Sequence, residues 1–228
     1  HMLRITLRAQ ELENYSAASE GGYIKLMLQT SAGEPVMRTY TVRTYRAAKQ
    51  EIDVDFVVHE TDGPAVLWAV SCQVGDQINV GGPGARKAPN AESDWVLMAG
   101  DMSALPAICA HLEAMEKQSK GYALLEIMHA DDKQIINAPE NIEIQWLINP
   151  KPEKSNTLLL DKVMSVKWLT GEPYIWVAGE LGQSLAIRRY MKEERNTVRE
   201  QMYASSYWQI GKTEDGHKIS KRDAEKNR

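Results

Sequence analysis

The 228-residue chain predicts a two-domain β plus α/β protein, with an antiparallel β-barrel or sandwich first and an α/β domain built on a parallel sheet second. Three observations predict it. Short runs of period-two alternation fill the first third of the chain. A stretch rich in Gly, Pro and polar residues then breaks the pattern. Beyond the break, strand-like and helix-like stretches alternate, which implies a parallel sheet covered by helices. The length suits two modest cores, because domains run to about 100–150 residues, and the expected division is 1–84 and 85–228.

Taken in order, residues 3–7, 23–28, 37–43, 52–58 and 77–80 alternate apolar and polar side chains, as half-buried strands do. Pro64-Ala65-Val66-Leu67-Trp68-Ala69-Val70 reads as a short helix, since proline is well placed in a first turn. Gly81-Gly82-Pro83-Gly84 and the polar residues 86–93 oppose regular structure and mark the break. After it, strands are expected at 95–99, 122–129, 142–148 and 174–178, with helices at 103–116 and 158–168 and a long one from Leu181 towards Met202. The charged residues 213–228 read as a frayed or partly helical end.

With 43% hydrophobic and 25% charged residues, the composition is that of an ordinary folded protein. No apolar run approaches the roughly 20 residues that cross a bilayer, and the start lacks the apolar centre of a signal peptide, so no membrane partner and a cytoplasmic location are expected. Cys72 and Cys109 lie too far apart for a CxxC pair, which leaves an iron–sulfur cluster, a zinc ribbon or a disulfide framework without ligands. Both read as buried, reduced thiols. A net charge of −4 opposes nucleic acid as a partner.

The sharpest local signal is Arg38-Thr39-Tyr40-Thr41-Val42-Arg43. On a strand, Arg38 and Tyr40 share a face. Arg can pair with a diphosphate, a Tyr ring can pack on a flat ring system, and a Thr hydroxyl can bond its edge. These letters alone favour a plain amphipathic strand. They are followed, however, by Asp55-Phe56-Val57-Val58-His59 and by Gly63-Pro64-Ala65-Val66-Leu67-Trp68, a turn into a helix whose N–H groups suit a pyrophosphate. Further on, Gly100-Asp101-Met102-Ser103 lies between a predicted strand and helix, the place for a nucleotide phosphate, although Asp and Ser there are also ordinary caps. Asp131 and Asp132 follow another predicted strand, where a carboxylate accepts from a ribose 2′-OH and repels a 2′-phosphate; Arg188, Arg189 and Lys192 would favour the phosphate.

Arg-x-Tyr-Thr with the glycine turn and helix resembles the flavin-binding barrel of the ferredoxin-reductase superfamily. The fuller string, Phe56-Val57-Val58-His59 with Gly63-Pro64-Ala65 and Trp68-Ala69, is similar to its siderophore-interacting branch. The resemblance continues in Gly75-Asp76, Gly82-Pro83-Gly84, Gly100 to Ile108, Trp176-Val177-Ala178-Gly179-Glu180 and Tyr207-Trp208-Gln209-Ile210-Gly211, so it covers nearly the whole chain. His1 to Thr6 resembles the family's second strand, which implies a further strand before it.

The resemblance implies an FAD-dependent ferric-siderophore reductase of two domains, an FAD-binding barrel and an NAD(P)H-binding α/β domain. Arg38, Tyr40 and Thr41 would hold the flavin and His59 would lie near the adenine-side ribose or ring. Gly63, Pro64 and Ala65 would meet the pyrophosphate, with Val57 and Trp68 completing the cofactor site. Gly100, Asp101, Ser103, Ala178, Gly179 and Glu180 would bind the nicotinamide nucleotide, NADH in preference to NADPH. Ferric siderophores are frequently anionic, so cations are expected around the substrate: Arg86 and Lys87 first, with Arg43, Lys212, Arg46 and Lys49 weaker. The family pattern expects a basic residue near Tyr207-Trp208, and Gln209 departs from it. No metal ligand or covalent nucleophile is required. The competing readings are a general NAD(P)H:flavin reductase, a non-catalytic siderophore-binding module, and a protein that takes electrons from ferredoxin.

Overall fold

The structure is a computed structural model and describes residues 1–30, 32–59 and 63–226. Its first part holds the strands β1 (Met2–Arg8), β2 (Tyr23–Gln29), β3 (Pro35–Thr41), β4 (Thr44–Arg46), β5 (Glu51–Val57) and β6 (Asn79–Gly84), with helix α1 (Pro64–Ser71) between the last two. They form two antiparallel sheets, ordered β1-β5-β4 and β3-β2-β6. Alternation does what the sequence pattern implies. Ile24, Leu26 and Leu28 of β2 and Ile52, Val54 and Phe56 of β5 enter one shared core with Ala65 and Ala69 of α1, while Tyr23 and Met27 stay outside. The opposite face of β5 carries Asp53 and Asp55, also buried. Arg46 donates to Asp53 at 2.6 and 2.7 Å and Arg4 to Asp55 at 2.6 and 2.8 Å, so each carboxylate on this face has a guanidinium partner.

Two expectations are corrected in this part. β3 ends at Thr41, and a separate short strand, β4, follows it. The glycine-proline stretch, expected to break regular structure, is instead the second half of β6, paired with β2. Its residues suit the place. β6 is an edge strand, where proline is tolerated, and a Cβ at Gly84 would stand 2.0 Å from the Tyr23 ring.

The second part continues with β7 (Trp95–Gly100), α2 (Leu105–Glu113), β8 (Lys120–Ile127), β9 (Asn141–Ile148), α3 (Leu158–Ser165), β10 (Pro173–Glu180), α4 (Leu181–Glu193), β11 (Met202–Trp208) and α5 (Glu214–Lys226). The strands are parallel in the order β11-β10-β7-β8-β9. Every residue of central β7 is buried, as expected of a strand covered on both faces. Ile108 and Leu112 of α2 pack on one face with Met98 and Trp176. Leu159 and Val163 of α3 and Ile187 and Met191 of α4 pack on the other with Leu97 and Val177. The long helix expected to reach Met202 stops at Glu193. The chain turns at Asn196, whose φ is +53°, and then enters β11, a fifth strand that the sequence pattern missed. Residues 214–226, expected to be frayed or partly helical, form α5.

Several contacts join the two parts. Arg43 pairs with Glu113, the His1 ring lies 2.9 Å from an Asp132 carboxylate oxygen, and the Trp176 indole donates to the carbonyl of Lys87 at 2.7 Å. Helix α5 lies on β11, with the His217 ring 2.8 Å from the Ser206 hydroxyl and Lys221 donating to Ser205 and to the Ser206 carbonyl. At its start, Glu214 pairs with Arg38 of β3 at 3.2 Å. Among the described residues, no helix is long and apolar enough to cross a membrane.

Candidate functional site

Strand β3 is an edge strand in which Pro35, Met37 and Thr39 face outwards while Arg38 and Tyr40 turn in, so the two expected flavin residues share a face. The Tyr40 ring packs on Phe56 with centroids 4.4 Å apart, and Phe56 packs on Trp68 of α1 at 5.8 Å. Burial raises the Tyr40 phenol far above its ordinary range, and the Glu214 carboxylate pushes the same way. Thr41 is buried at the strand's end. Across the core, Val57 ends β5 half-buried and His59 follows it at the surface. Helix α1 starts at Pro64 from Gly63, with no side chain capping it, and Ala65 is buried in its first turn. Its leading N–H groups have no acceptor within the helix.

This donor set fits a diphosphate-linked flavin: a guanidinium on an open edge, an inward aromatic ring and an uncapped helix start. Here the Arg38 guanidinium is paired with the Glu214 carboxylate at 3.2 Å, a partner that a diphosphate would have to displace.

The second cluster lies where the chain order reverses, between β7 and β10, at the carboxyl ends of their strands. Gly100, Asp101, Ser103, Ala178, Gly179 and Glu180 meet here. A Cβ on Gly100 would stand 2.8 Å from both the Ala104 side chain and the Ala178 carbonyl. Gly179 has φ +136° and lies so close to Asp101 that a Cβ would meet its Oδ2 at 2.4 Å. Asp101 Oδ1 accepts from the Ser103 N–H and hydroxyl, and Oδ2 accepts from the Glu180 N–H at 2.7 Å and the Trp208 indole at 2.8 Å. Glu180 caps α4 by accepting from the Gln183 N–H at 3.0 Å.

Sequence reasoning missed Glu126, Asn149 and Gln183. Glu126 is buried at the end of β8, and it accepts from Asn149 at 2.7 Å and from Gln183 at 3.2 Å. Burial raises its carboxyl above the ordinary range, the two amides oppose this, and Asp101 and Glu180 add to the rise. One carboxylate in the run Ala123-Leu124-Leu125-Glu126-Ile127 was the available signal. A cavity of 220 Å³ opens beside this group, lined among others by Asn156, Thr157, Glu180, Gln183 and Ile210. No Lys or Arg is among its lining residues.

The expected substrate cations separate. Arg86 is half-buried, and Lys87 and Lys212 are exposed. Arg43 is buried, and both terminal nitrogens donate to Glu113 at 2.7 and 2.6 Å, so its charge is paired within the protein. Arg46 is likewise held by Glu51 and Asp53. Asp132, expected near a ribose, is buried; it accepts from the His129 N–H at 2.7 Å and lies 2.9 Å from the His1 ring. Asp131 stands exposed. Both cysteines are free thiols; burial pushes Cys109 up to about 12.

Comparison with known proteins gives two family matches: siderophore-interacting protein over residues 93–211 and siderophore-interacting FAD-binding domain over residues 29–87. The ferric vibriobactin reductase ViuB of Vibrio cholerae is 35% identical over 95% of this chain and 87% of its own length. A ferric acinetobactin reductase of Acinetobacter baumannii is 28% identical over 78% of this chain and 63% of its own. The crystal structure of the siderophore-interacting protein SipS from Aeromonas hydrophila superposes with a TM-score of 0.86 at 29% identity, covering 99% of this chain and 92% of that one.

Proposed function

The chain belongs to the siderophore-interacting protein family, and on that premise we propose that it is an FAD-dependent ferric-siderophore reductase that takes its electrons from a nicotinamide nucleotide. The observation that carries the proposal is the inward pair Arg38 and Tyr40 on edge strand β3, with an uncapped α1 in the same part of the fold. The relatives named as ferric vibriobactin and ferric acinetobactin reductases supply the substrate class.

When bound, FAD supplies the means of accepting two electrons as a hydride and releasing them singly, which suits one-electron reduction of Fe(III). The chain's task is then positional. Arg38 pairs with the diphosphate, the Tyr40 ring and Thr41 hold the flavin, and Gly63, Pro64 and Ala65 bring backbone close to the pyrophosphate, with Val57, His59 and Trp68 around them. Gly100, Ser103, Ala178, Gly179 and Glu180 border the nucleotide. The concentration of Asp101, Glu126 and Glu180 there, beside a cavity lined by no cation, favours NADH over NADPH, whose extra phosphate would face carboxylates. The same crevice at the carboxyl ends of β7 and β10 favours a nucleotide over ferredoxin as the donor. Arg86, Lys87 and Lys212 remain as cations for an anionic ferric chelate. Because siderophores hold Fe(III) with hard oxygen donors far better than Fe(II), reduction releases the metal, and the reading places this in the cytoplasm.

The test is the visible spectrum of the FAD-loaded protein under anaerobic conditions. NADH is expected to bleach the flavin bands, and a ferric siderophore with a ferrous trap to restore them as Fe(II) appears. A protein that cannot be loaded with FAD would overturn the proposal, and equal turnover with free flavin as acceptor would favour a general flavin reductase. Arg38→Ala is expected to weaken FAD binding about tenfold or more, the worth of a charge-assisted pair, read by quenching of FAD fluorescence.

A further inference from the structure

An ionised carboxylate offers about four acceptor positions, and at Asp101 four protein donors take them: the Ser103 N–H and hydroxyl on Oδ1, the Glu180 N–H and the Trp208 indole on Oδ2. Asp101 is 7% exposed. A dinucleotide reaching the carboxyl ends of β7 and β10 therefore finds this carboxylate already saturated. What Asp101 does instead is join three neighbouring strand ends. It follows β7 directly, its Oδ2 fixes the Gly179–Glu180 peptide at the end of β10, and the same oxygen holds Trp208 at the end of β11. The pairing of β10 with β11 shifts register at Gly179 and Glu180, where this oxygen binds, so ladder hydrogen bonds alone do not set the geometry there. Only glycine at 179 lets the carboxylate come this close. Glu180, placed in this way, caps α4 and accepts from the Ile210 N–H at 3.3 Å, at the wall of the cavity.

We propose that Asp101 is a positioning residue for the nicotinamide nucleotide: it sets the Glu180 and Trp208 end of the crevice from beneath, without touching the ligand. The inference rests on the reading of a nucleotide-driven reductase. It differs from nucleotide contact by Asp101 in one measurable respect. The part of its effect that Asp101 exerts through Trp208 is lost once the indole donor is gone, so the two substitutions combine to less than the product of their separate effects, whereas a residue that contacts the ligand independently keeps its full effect.

The experiment uses the full FAD-loaded chain as wild type, Asp101→Asn, Trp208→Phe and the double variant. For each, FAD affinity is measured by fluorescence, NAD⁺ affinity by titration calorimetry, the NADH dependence of anaerobic flavin bleaching by stopped flow, and the re-oxidation of dithionite-reduced protein by a ferric siderophore. Misplacement by a fraction of an ångström to 1 Å is expected to raise the NAD⁺ dissociation constant and the NADH half-saturation about tenfold in each single variant. The double variant is expected to lose less than the product of the two single losses. FAD affinity and re-oxidation should stay within about twofold, because the flavin strand β3 is elsewhere. Multiplying effects in the double variant would overturn the inference, as would unchanged NAD⁺ binding in Asp101→Asn. Parallel loss of FAD affinity and re-oxidation would reduce Asp101 to a purely structural role. If Asp101→Asn does not fold, Trp208→Phe alone must show the split. A wild-type protein that NADH does not bleach would refute the functional reading itself, an outcome separable from all of these.

Discussion

His111 is 2% exposed, and neither ring nitrogen has a hydrogen-bond partner. Its ring lies against Gly21 and edge-on to Trp176, 5.3 Å between centroids. Burial, helped by the charge of Arg86, lowers its pKa to about 3 from an ordinary 6.5. Between those values the unfolded chain binds a proton that the folded chain refuses, so stability falls as the pH drops from about 6.5 towards 3. His111→Leu is expected to flatten that slope, read as the difference in urea midpoint between pH 7 and pH 4.5. An unchanged slope would assign the acid sensitivity to other groups. Residues of this kind mark the limit of sequence reading. Arg38 and Tyr40 were legible because alternation along one strand sets their face. Arg43 was not, because the partner that neutralises it, Glu113, lies 70 positions away. The saturation of Asp101 was hidden for the same reason, since two of its donors belong to β10 and β11.

Among the elements, the junction of β7 and β8 depends on a glycine that no motif flagged. Gly121 pairs with Val96, has φ +140°, and would place a Cβ 1.9 Å from the Val96 carbonyl oxygen. Gly121→Ala is expected to cost about 3 kcal/mol or more, through both strain and the displaced strand, measured by urea unfolding; a loss below 1 kcal/mol would show that the strands can part to admit a methyl. The strands themselves were largely readable, since each has a continuous or alternating apolar pattern. β11 escaped because Tyr203-Ala204-Ser205-Ser206-Tyr207 has no apolar face strong enough to signal a strand, and its position comes from pairing with β10. The second half of β6 escaped because its glycines and proline disfavour a strand locally, and pairing with β2 overrides them.

At the scale of the whole molecule, the two halves are held by charge as well as by apolar packing. Glu113→Ala would leave the Arg43 guanidinium buried without its anion, and the expected loss is about 2–4 kcal/mol, seen as a fall in urea midpoint that Arg43→Met, made in the same background, partly restores. No restoration would show that the lost carboxylate matters for some reason other than the stranded charge. The order of parts, sheet proteins first and helix-covered parallel sheet second, was legible from periodicity; the contacts between parts were not, because they are made by single residues from distant segments. Helix α5 is the furthest-reaching of these segments, resting on β11 and reaching back through Glu214 to Arg38 of β3. Ribosomes make the chain from its amino end, so β3 emerges long before residues 214–226 exist. During that interval Arg38 faces solvent without Glu214, and a flavin met by the nascent chain would find its guanidinium uncontested; after release, the same flavin must compete with the tail.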